Sequence, residues 1–392
     1  MDRLSASMFT AAQSSVTLAI NLIGAMALFL GLMKVAEEGG LLQIIARTIR
    51  PIMVRLFPDV PPDHPAMGAM ILNMAANALG LGNAATPFGI RAMQELNKLN
   101  PRPGTASNAM VLFLAINTSS VTLLPTGVIA IRQGMGSADP AGILATTLFA
   151  TVVSTVVAVG GTKLLQRVVP LGEADESVEI AEATAAPLEA PEASEAYPGW
   201  VSALAMISIV LFIPAAILWG TLIAPWVVPA LAVALLSFGA MRGVKVYESF
   251  VEGAKDGFQV AIKIIPYLVA ILVAVAMFRA SGALDALVSV IDPVTSLINL
   301  PGEALPMALL RPLSGSGAYG VMVSIMQSAG PDSYVGYLVS TLQGSTETTF
   351  YVLAVYFGAV QVQRTRHALP AALMADTAGV LAAVFICSML FG

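Results

Sequence analysis

Two short runs concentrate the polar residues of an otherwise apolar chain: Asn117-Thr118-Ser119-Ser120-Val121-Thr122 and Gln343-Gly344-Ser345-Thr346-Glu347-Thr348. Each lies within a stretch apolar enough to cross a bilayer, where hydroxyls, amides and a carboxylate do not face lipid cheaply. Such groups can hydrogen-bond a polar solute or ligate a small cation. Two further breaks stand upstream of them. Asn77, Gly80, Gly82, Asn83, Thr86 and Pro87 interrupt residues 66–98, and Arg311-Pro312-Leu313-Ser314-Gly315-Ser316-Gly317 interrupts 304–328. Non-helical backbone at membrane depth survives only when buried in protein or lining a wet cavity. Small residues at helix contacts explain single glycines, but they explain four coincident polar breaks poorly. A binding site is the better reading.

Three ionisable residues are expected at depth: Arg311, Glu347 and Asp376. Two arrangements are open. Arg311 pairs with Glu347 or Asp376 and only holds the fold, or it faces an anionic group of a solute while Glu347 bonds hydroxyls or amines and Glu347 or Asp376 carries a proton. Catalysis is not expected. The two histidines, His64 and His367, fall at interfaces, and no nucleophile–base pair is visible. The Gly-Ser-Gly tip lacks the Lys-Ser/Thr of a phosphate loop. Cys387 and two histidines cannot build a Cys/His metal site. Neither a cofactor nor a nucleic-acid partner is expected.

The elements that must position these residues follow from composition. Of 392 residues 57% are hydrophobic and 11% charged, with a mean hydropathy of +0.82, which defines an all-α polytopic membrane protein in contact with the lipid bilayer. The net charge of −5 comes from eight acids between Glu173 and Glu195, in a polar Ala/Glu/Pro-rich stretch without Lys or Arg that reads as a linker (171–197). The N-terminus lacks a cationic segment with a cleavage site, so no removable signal peptide is expected. A span at 16–36, an interfacial helix at 41–56, a re-entrant hairpin at 66–98, a broken span at 106–132 and a span at 140–165 make a first repeat (1–170). Residues 198–242 read as an insertion of two spans, 200–219 and 223–241. The second repeat (243–392) follows with a lead-in at 244–256, a span at 260–279, an interfacial helix at 283–296, a hairpin at 304–328, a broken span at 334–360 and a closing span at 367–391.

Gly40 matches Gly282 and Pro51 matches Pro293 at one offset. Asn117, Ser119, Ser120 and Thr122 match Gln343, Ser345, Thr346 and Thr348 at another. Three spans per repeat is an odd number, so the repeats should be inverted. Fifteen Lys and Arg then fall on one side, with Arg3, Arg132 and Arg279 on the other and Arg311 within the membrane. That places the linker in the cytoplasm of a bacterial inner membrane and both termini outside.

These residues also carry a resemblance. The first half, through Asn73-Met74-Ala75-Ala76-Asn77-Ala78-Leu79-Gly80-Leu81-Gly82-Asn83-Ala84-Ala85-Thr86-Pro87-Phe88-Gly89, resembles the spore maturation protein A family. The second, through Leu310 to Gly317 and Gln343 to Thr348, resembles the spore maturation protein B family. Both are similar to the nucleoside-recognition gate domain of concentrative nucleoside transporters, in which two hairpins and two unwound helices enclose a solute and often Na⁺. The resemblance implies a secondary transporter for a small polar solute, nucleoside-like or carboxylate-bearing, coupled to Na⁺ or H⁺, and often a homo-oligomer. The alternative is a non-transporting receptor or scaffold of the cell envelope. By that resemblance Asn73, Asn77, Asn83, Thr86, Asn117, Ser119 and Ser120 line the first half of the site. Arg311, Ser314, Ser316, Gln343, Ser345, Thr346 and Glu347 line the second. Asn117, Thr122, Thr348, Glu347 and Asp376 are the coupling-ion candidates. The family's Gln-Thr-Glu signature in the first hairpin is absent here.

Overall fold

The computed structural model describes residues 2–80, 82–119, 121–169, 197–283, 293 and 295–392; some side chains within helices, Asn83 among them, also lie outside the description. Among the described residues the chain is helical, with one isolated bridge, Thr105 to Arg364, between extended segments.

Helix α1 (Asp2–Glu38) runs into α2 (Leu41–Leu56) through Gly40, whose φ of 89° turns the chain sharply onto the amphipathic helix. The first hairpin is α3 (Pro65–Ala78) and α4 (Gly82–Lys98). His64 caps α3, accepting from the Ala66 amide at 3.1 Å, with Pro65 in the first turn where its missing N–H costs nothing. The first broken span is α5 (Asn108–Ser119) and α6 (Thr126–Gly134), followed by α7 (Ile143–Val168).

Residues Gly199–Met241 form α8, helical over 43 residues, so the expected non-helical turn between two spans is not there. Straight, such a helix would reach about 65 Å. Yet near one end the Ser202 hydroxyl bonds the Thr48 carbonyl, and near the other Phe238 packs on Gly39. Thr48 and Gly39 are close along the α1–α2 corner, so the segment doubles back without a break. Its apolar run is continuous through Pro214, Pro225 and Pro229, and bent membrane helices tolerate proline. The lead-in and span expected at 244–279 are likewise one helix, α9 (Val246–Ala280). It packs antiparallel on α1, and a Cβ at Gly253 would come within 2.5 Å of the Leu30 carbonyl oxygen and one at Gly257 within 2.6 Å of Ala27.

Gly282 follows with φ 74°, the same handedness as Gly40. The expected interfacial helix at 283–296 lies mostly outside the described residues. The second hairpin is α10 (Leu305–Leu310) and α11 (Gly315–Ala329), and the second broken span is α12 (Tyr334–Ser345) and α13 (Thr349–Gly358). Helix α14 (Ala368–Phe391) closes the described chain against α7, with Phe149 beside Phe385 and the Ser154 hydroxyl on the Ala375 carbonyl at 2.8 Å. Among the described residues three helices are long and apolar enough to cross a membrane: Ser5–Glu38 within α1, α7 and α14.

The apolar core is divided, and the two halves of the chain exchange parts. One cluster joins Met67, Met70 and Phe113 of α3 and α5 to Tyr356 and Phe357 of α13. The other joins Met322, Leu338 and Ile386 of α11, α12 and α14 to Ile129 and Ile131 of α6. The second piece of each broken span therefore packs with the hairpin of the opposite half.

Candidate functional site

The breaks meet one another through backbone. At the first hairpin tip the Leu123 amide donates to the Ala78 carbonyl at 2.9 Å, and at the second the Phe350 amide donates to the Pro312 carbonyl at 3.0 Å. Each tip is thus tied to the broken span of its own half, with carbonyls at helix ends satisfied by the unwound segment. The two breaks are joined in turn, the Glu347 amide donating to the Thr118 carbonyl at 2.8 Å. Gly80 permits the first of these approaches: it takes φ 73°, and a Cβ there would stand 2.6 Å from the Leu124 carbonyl oxygen.

Around these contacts lies a cavity of about 390 Å³. Asn77 and Gly80 reach it from the first hairpin, Arg311 and Gly315 from the second. Thr122 reaches it from the first break, and Gln343, Gly344 and Glu347 from the second. The start of α6 closes one wall, and α1 closes another with Met26, Phe29, Leu30, Lys34 and Glu37. That spacing is one helical face.

Arg311 is 5% exposed and turned into protein. Its Nη1 donates to the Thr348 hydroxyl at 3.1 Å and its Nη2 to the Thr346 carbonyl, while the nearest Glu347 carboxylate oxygen is 3.8 Å from Nη2. Glu347, by contrast, keeps 44% of its side chain exposed. A Cβ on Gly315 would lie 2.7 Å from the Thr348 hydroxyl, so glycine leaves room for this arrangement. Gln343 is 4% exposed, and its Oε1 is buried without a partner.

Behind the cavity the Asn77 amide donates to Asn117 Oδ1 at 3.0 Å, and the Tyr356 hydroxyl stands 3.4 Å from the same oxygen. Asn73 Nδ2 donates to the Ala85 carbonyl at 2.7 Å and to the Tyr356 hydroxyl at 3.1 Å. Tyr356 stacks on Phe113 with ring centroids 6.0 Å apart, and its ring fills the space a Cβ on Gly89 would take.

The sequence-expected residues therefore divide. Asn77, Thr122, Arg311, Gln343 and Glu347 line the cavity. Asn73 and Asn117 support it from behind, and Thr346 and Thr348 hold Arg311. Ser314 caps α11, accepting from the Gly317 amide at 3.1 Å. Ser119 shares a 3.0 Å hydrogen bond with Thr155 of α7, and Ser345 donates to the Leu342 carbonyl. Thr86 and Ser316 are half-buried in the first turns of α4 and α11 and are not among the residues that line the cavity. Asp376 accepts from the Thr349 hydroxyl at 2.7 Å, on the far side of the second break, and its Oδ1 is buried without a partner. Ser120 and the Asn83 side chain lie outside the described residues.

Sequence reasoning missed Lys34 and Glu37, a pair at 3.2 Å, together with Asp256, Tyr319 and Tyr356. Tyr319 had a signal: it follows Gly315 by one helical turn and so shares its face. Among the described residues no group of three or more His, Cys, Asp and Glu stands together as metal ligands would.

A polytopic helical membrane protein whose interrupted helices meet at a polar cavity is the class that this arrangement defines. The chain belongs to the gate family described as nucleoside recognition, whose pattern matches residues 19–135 and 261–362, together more than half of it. It is 47% identical over 165 residues to spore maturation protein B of Bacillus subtilis (strain 168), an alignment covering 42% of this chain and 93% of that protein. It is 48% identical over 151 residues to spore maturation protein A of the same organism, covering 38% of this chain and 77% of that protein. Inner membrane protein YjiG of Escherichia coli (strain K12) is 35% identical over 81 residues, 20% of this chain and 53% of that protein. The two spore maturation relatives are consistent with a chain that fuses an A-like and a B-like part. No solved structure matches.

Proposed function

We propose that this protein is a secondary-transporter-like protein of the bacterial inner membrane that binds a small polar solute in the cavity between the two hairpins and the two broken spans. The observation that carries the proposal is the convergence of all four interruptions, 66–98, 106–132, 304–328 and 334–360, on one cavity of about 390 Å³. That size is in the range of small-molecule sites. The family supports the class of ligand, since gate domains are described as recognising nucleosides.

An inverted pair of repeats is the architecture we infer. It is supported by the positive φ of Gly40 and Gly282, by the like tip-to-break hydrogen bonds of the two halves, and by the exchange of α6 and α13 between cores. Coupling to Na⁺ or H⁺ is part of this reading. So are the cytoplasmic linker and the external termini, for which the positive-charge asymmetry is the argument. No catalytic role is proposed. The names of the two spore maturation relatives favour a second reading, a receptor or scaffold of the cell envelope that does not move its solute.

A thermal-shift screen of purified full-length protein against nucleosides, amino acids, amines and dicarboxylates, with and without Na⁺, tests the site. The expected result is stabilisation by one class that Asn77→Ala and Glu347→Ala both abolish. No stabilisation, or an unchanged response in both variants, overturns it. Solute counterflow into proteoliposomes then separates transport from reception.

A further inference from the structure

We infer that the solute is read through a positively charged amino group, held by the Glu347 carboxylate and the Gln343 carbonyl oxygen, and that the cavity disfavours carboxylates. This rests on the reading of the cavity as the solute site, and it puts a cationic solute in place of the nucleoside class that the family description suggests.

The argument begins with Arg311, the residue that an anionic solute would need. Its guanidinium is 5% exposed, and its hydrogen bonds go to Thr348 and Thr346. These are internal partners that fix the second break; the remaining donor, Nε, is buried without a partner, so an anion would have to draw the group out of the protein to reach it. Glu347 stands the other way: it forms an ion pair with Arg311 at 3.8 Å, beyond hydrogen-bond distance, and 44% of its side chain is exposed. The long pair leaves the carboxylate open to a donor from the cavity side.

Gln343 adds an acceptor. Its Oε1, in a residue 4% exposed on the cavity wall, has no partner. A buried acceptor left unpaired is costly and is relieved by a donor from a ligand. An ammonium group offers several donors to such a pair and no acceptor.

Net charge points the same way. Five charged residues line the cavity: the carboxylates of Glu37, Asp256 and Glu347 against Lys34 and Arg311. Lys34 is paired with Glu37 at 3.2 Å. A monocation leaves the lined space neutral, whereas a carboxylate adds a second unbalanced negative charge. Like-charge placement of that kind is a recognised source of discrimination.

The test uses full-length protein in nanodiscs and three probe classes of similar size: primary monoamines and amino alcohols, dicarboxylates, and uncharged nucleosides. Dose-dependent stabilisation by the amines is expected, weakened about tenfold by Glu347→Gln, because the amide that replaces the carboxylate carries no charge to pair with the ammonium. Asp256→Asn, at the exposed rim, should weaken the amines less and more steeply at low salt, which keeps the test open if Glu347→Gln fails to fold. Stabilisation by dicarboxylates or nucleosides without the amines, or amine affinity unchanged in the variants, overturns this inference while leaving the solute site standing. No stabilisation by any class overturns both.

Discussion

The amide of Glu347 donates to the carbonyl of Thr118 at 2.8 Å, joining the two broken spans at the points where each stops being helical. Helix ends leave unpaired backbone groups, and here one end supplies the donor and the other the acceptor. The Glu347 side chain is thereby placed by backbone as well as by its 3.8 Å ion pair with Arg311, with the carboxylate beside the cavity.

The tip of the first hairpin is pinned as tightly. Gly80→Ala should lower stability by about 1–2 kcal/mol for the left-handed backbone alone. The 2.6 Å approach to the Leu124 carbonyl oxygen adds to that cost. Differential scanning fluorimetry of the purified variant measures it, and an unchanged melting temperature would mean the tip is not held as described.

Tyr356 supports residues far from it in sequence. Tyr356→Phe keeps the stacking on Phe113 but removes the hydroxyl between Asn73 and Asn117. Asn73 still donates to Ala85 and Asn117 still accepts from Asn77, so a loss of about 0.5–1.5 kcal/mol is expected for the hydrogen bonds removed, together with weaker solute stabilisation, since Asn117 orients Asn77 at the cavity. A fluorimetric titration reads both effects.

At one end of the bundle Arg132, 0% exposed, clamps the two halves. Its Nη1 donates to the Pro331 carbonyl at 2.6 Å and its Nη2 to Asp332 at 3.0 Å, and the guanidinium lies 4.2 Å from the Tyr337 ring centroid. Arg132→Gln leaves the Pro331 and Asp139 carbonyls without their donor, while Asp332, 36% exposed, keeps the Ser137 hydroxyl and the Ala138 amide, so the expected cost is about 1–3 kcal/mol. Arg132→Lys should not rescue it, because a point charge cannot reproduce the fork or the stacking. Size-exclusion profiles and melting temperatures of the two variants compare directly.

Arg366 makes the reciprocal contact at the other end, donating to the Ala106 carbonyl at 3.0 Å and to Asn108 Oδ1 at 2.9 Å. Its neighbour His367 precedes α14, and both ring nitrogens are buried without partners. Burial first, and then the Arg366 charge, pushes this histidine down to about 4 from 6.5. The unfolded chain therefore takes up the proton first as pH falls. The stability held above pH 6.5 should decline through 6.5 and level off near 4. Melting temperature against pH, with His367→Leu expected to flatten that limb, is the measurement; an unaltered limb would assign the loss to other groups.

Much of the fold was legible. Gly40 and Gly282, the polar breaks at Asn117–Thr122 and Gln343–Thr348, and the hairpin tips are local signals, because lipid penalises every unsatisfied backbone group. The division of residues 198–242 into two spans was less legible, since nothing in that apolar run says whether a reversal is made by a turn or by a bent helix. Arg311 shows the same limit at the site. Its depth could be read from its surroundings in sequence, but not whether it faced solute or protein.

The sequence by itself determined the membrane class, the order of elements and the places where helices must break, because hydropathy and helix termination depend on neighbours along the chain. Only the tertiary structure decided that α6 and α13 change sides, that Lys34, Glu37 and Tyr319 join the cavity, and that Arg311 turns inward while Glu347 turns out. Those outcomes depend on close packing between segments remote in sequence, such as Asn73 and Tyr356, and no periodicity along the chain encodes them.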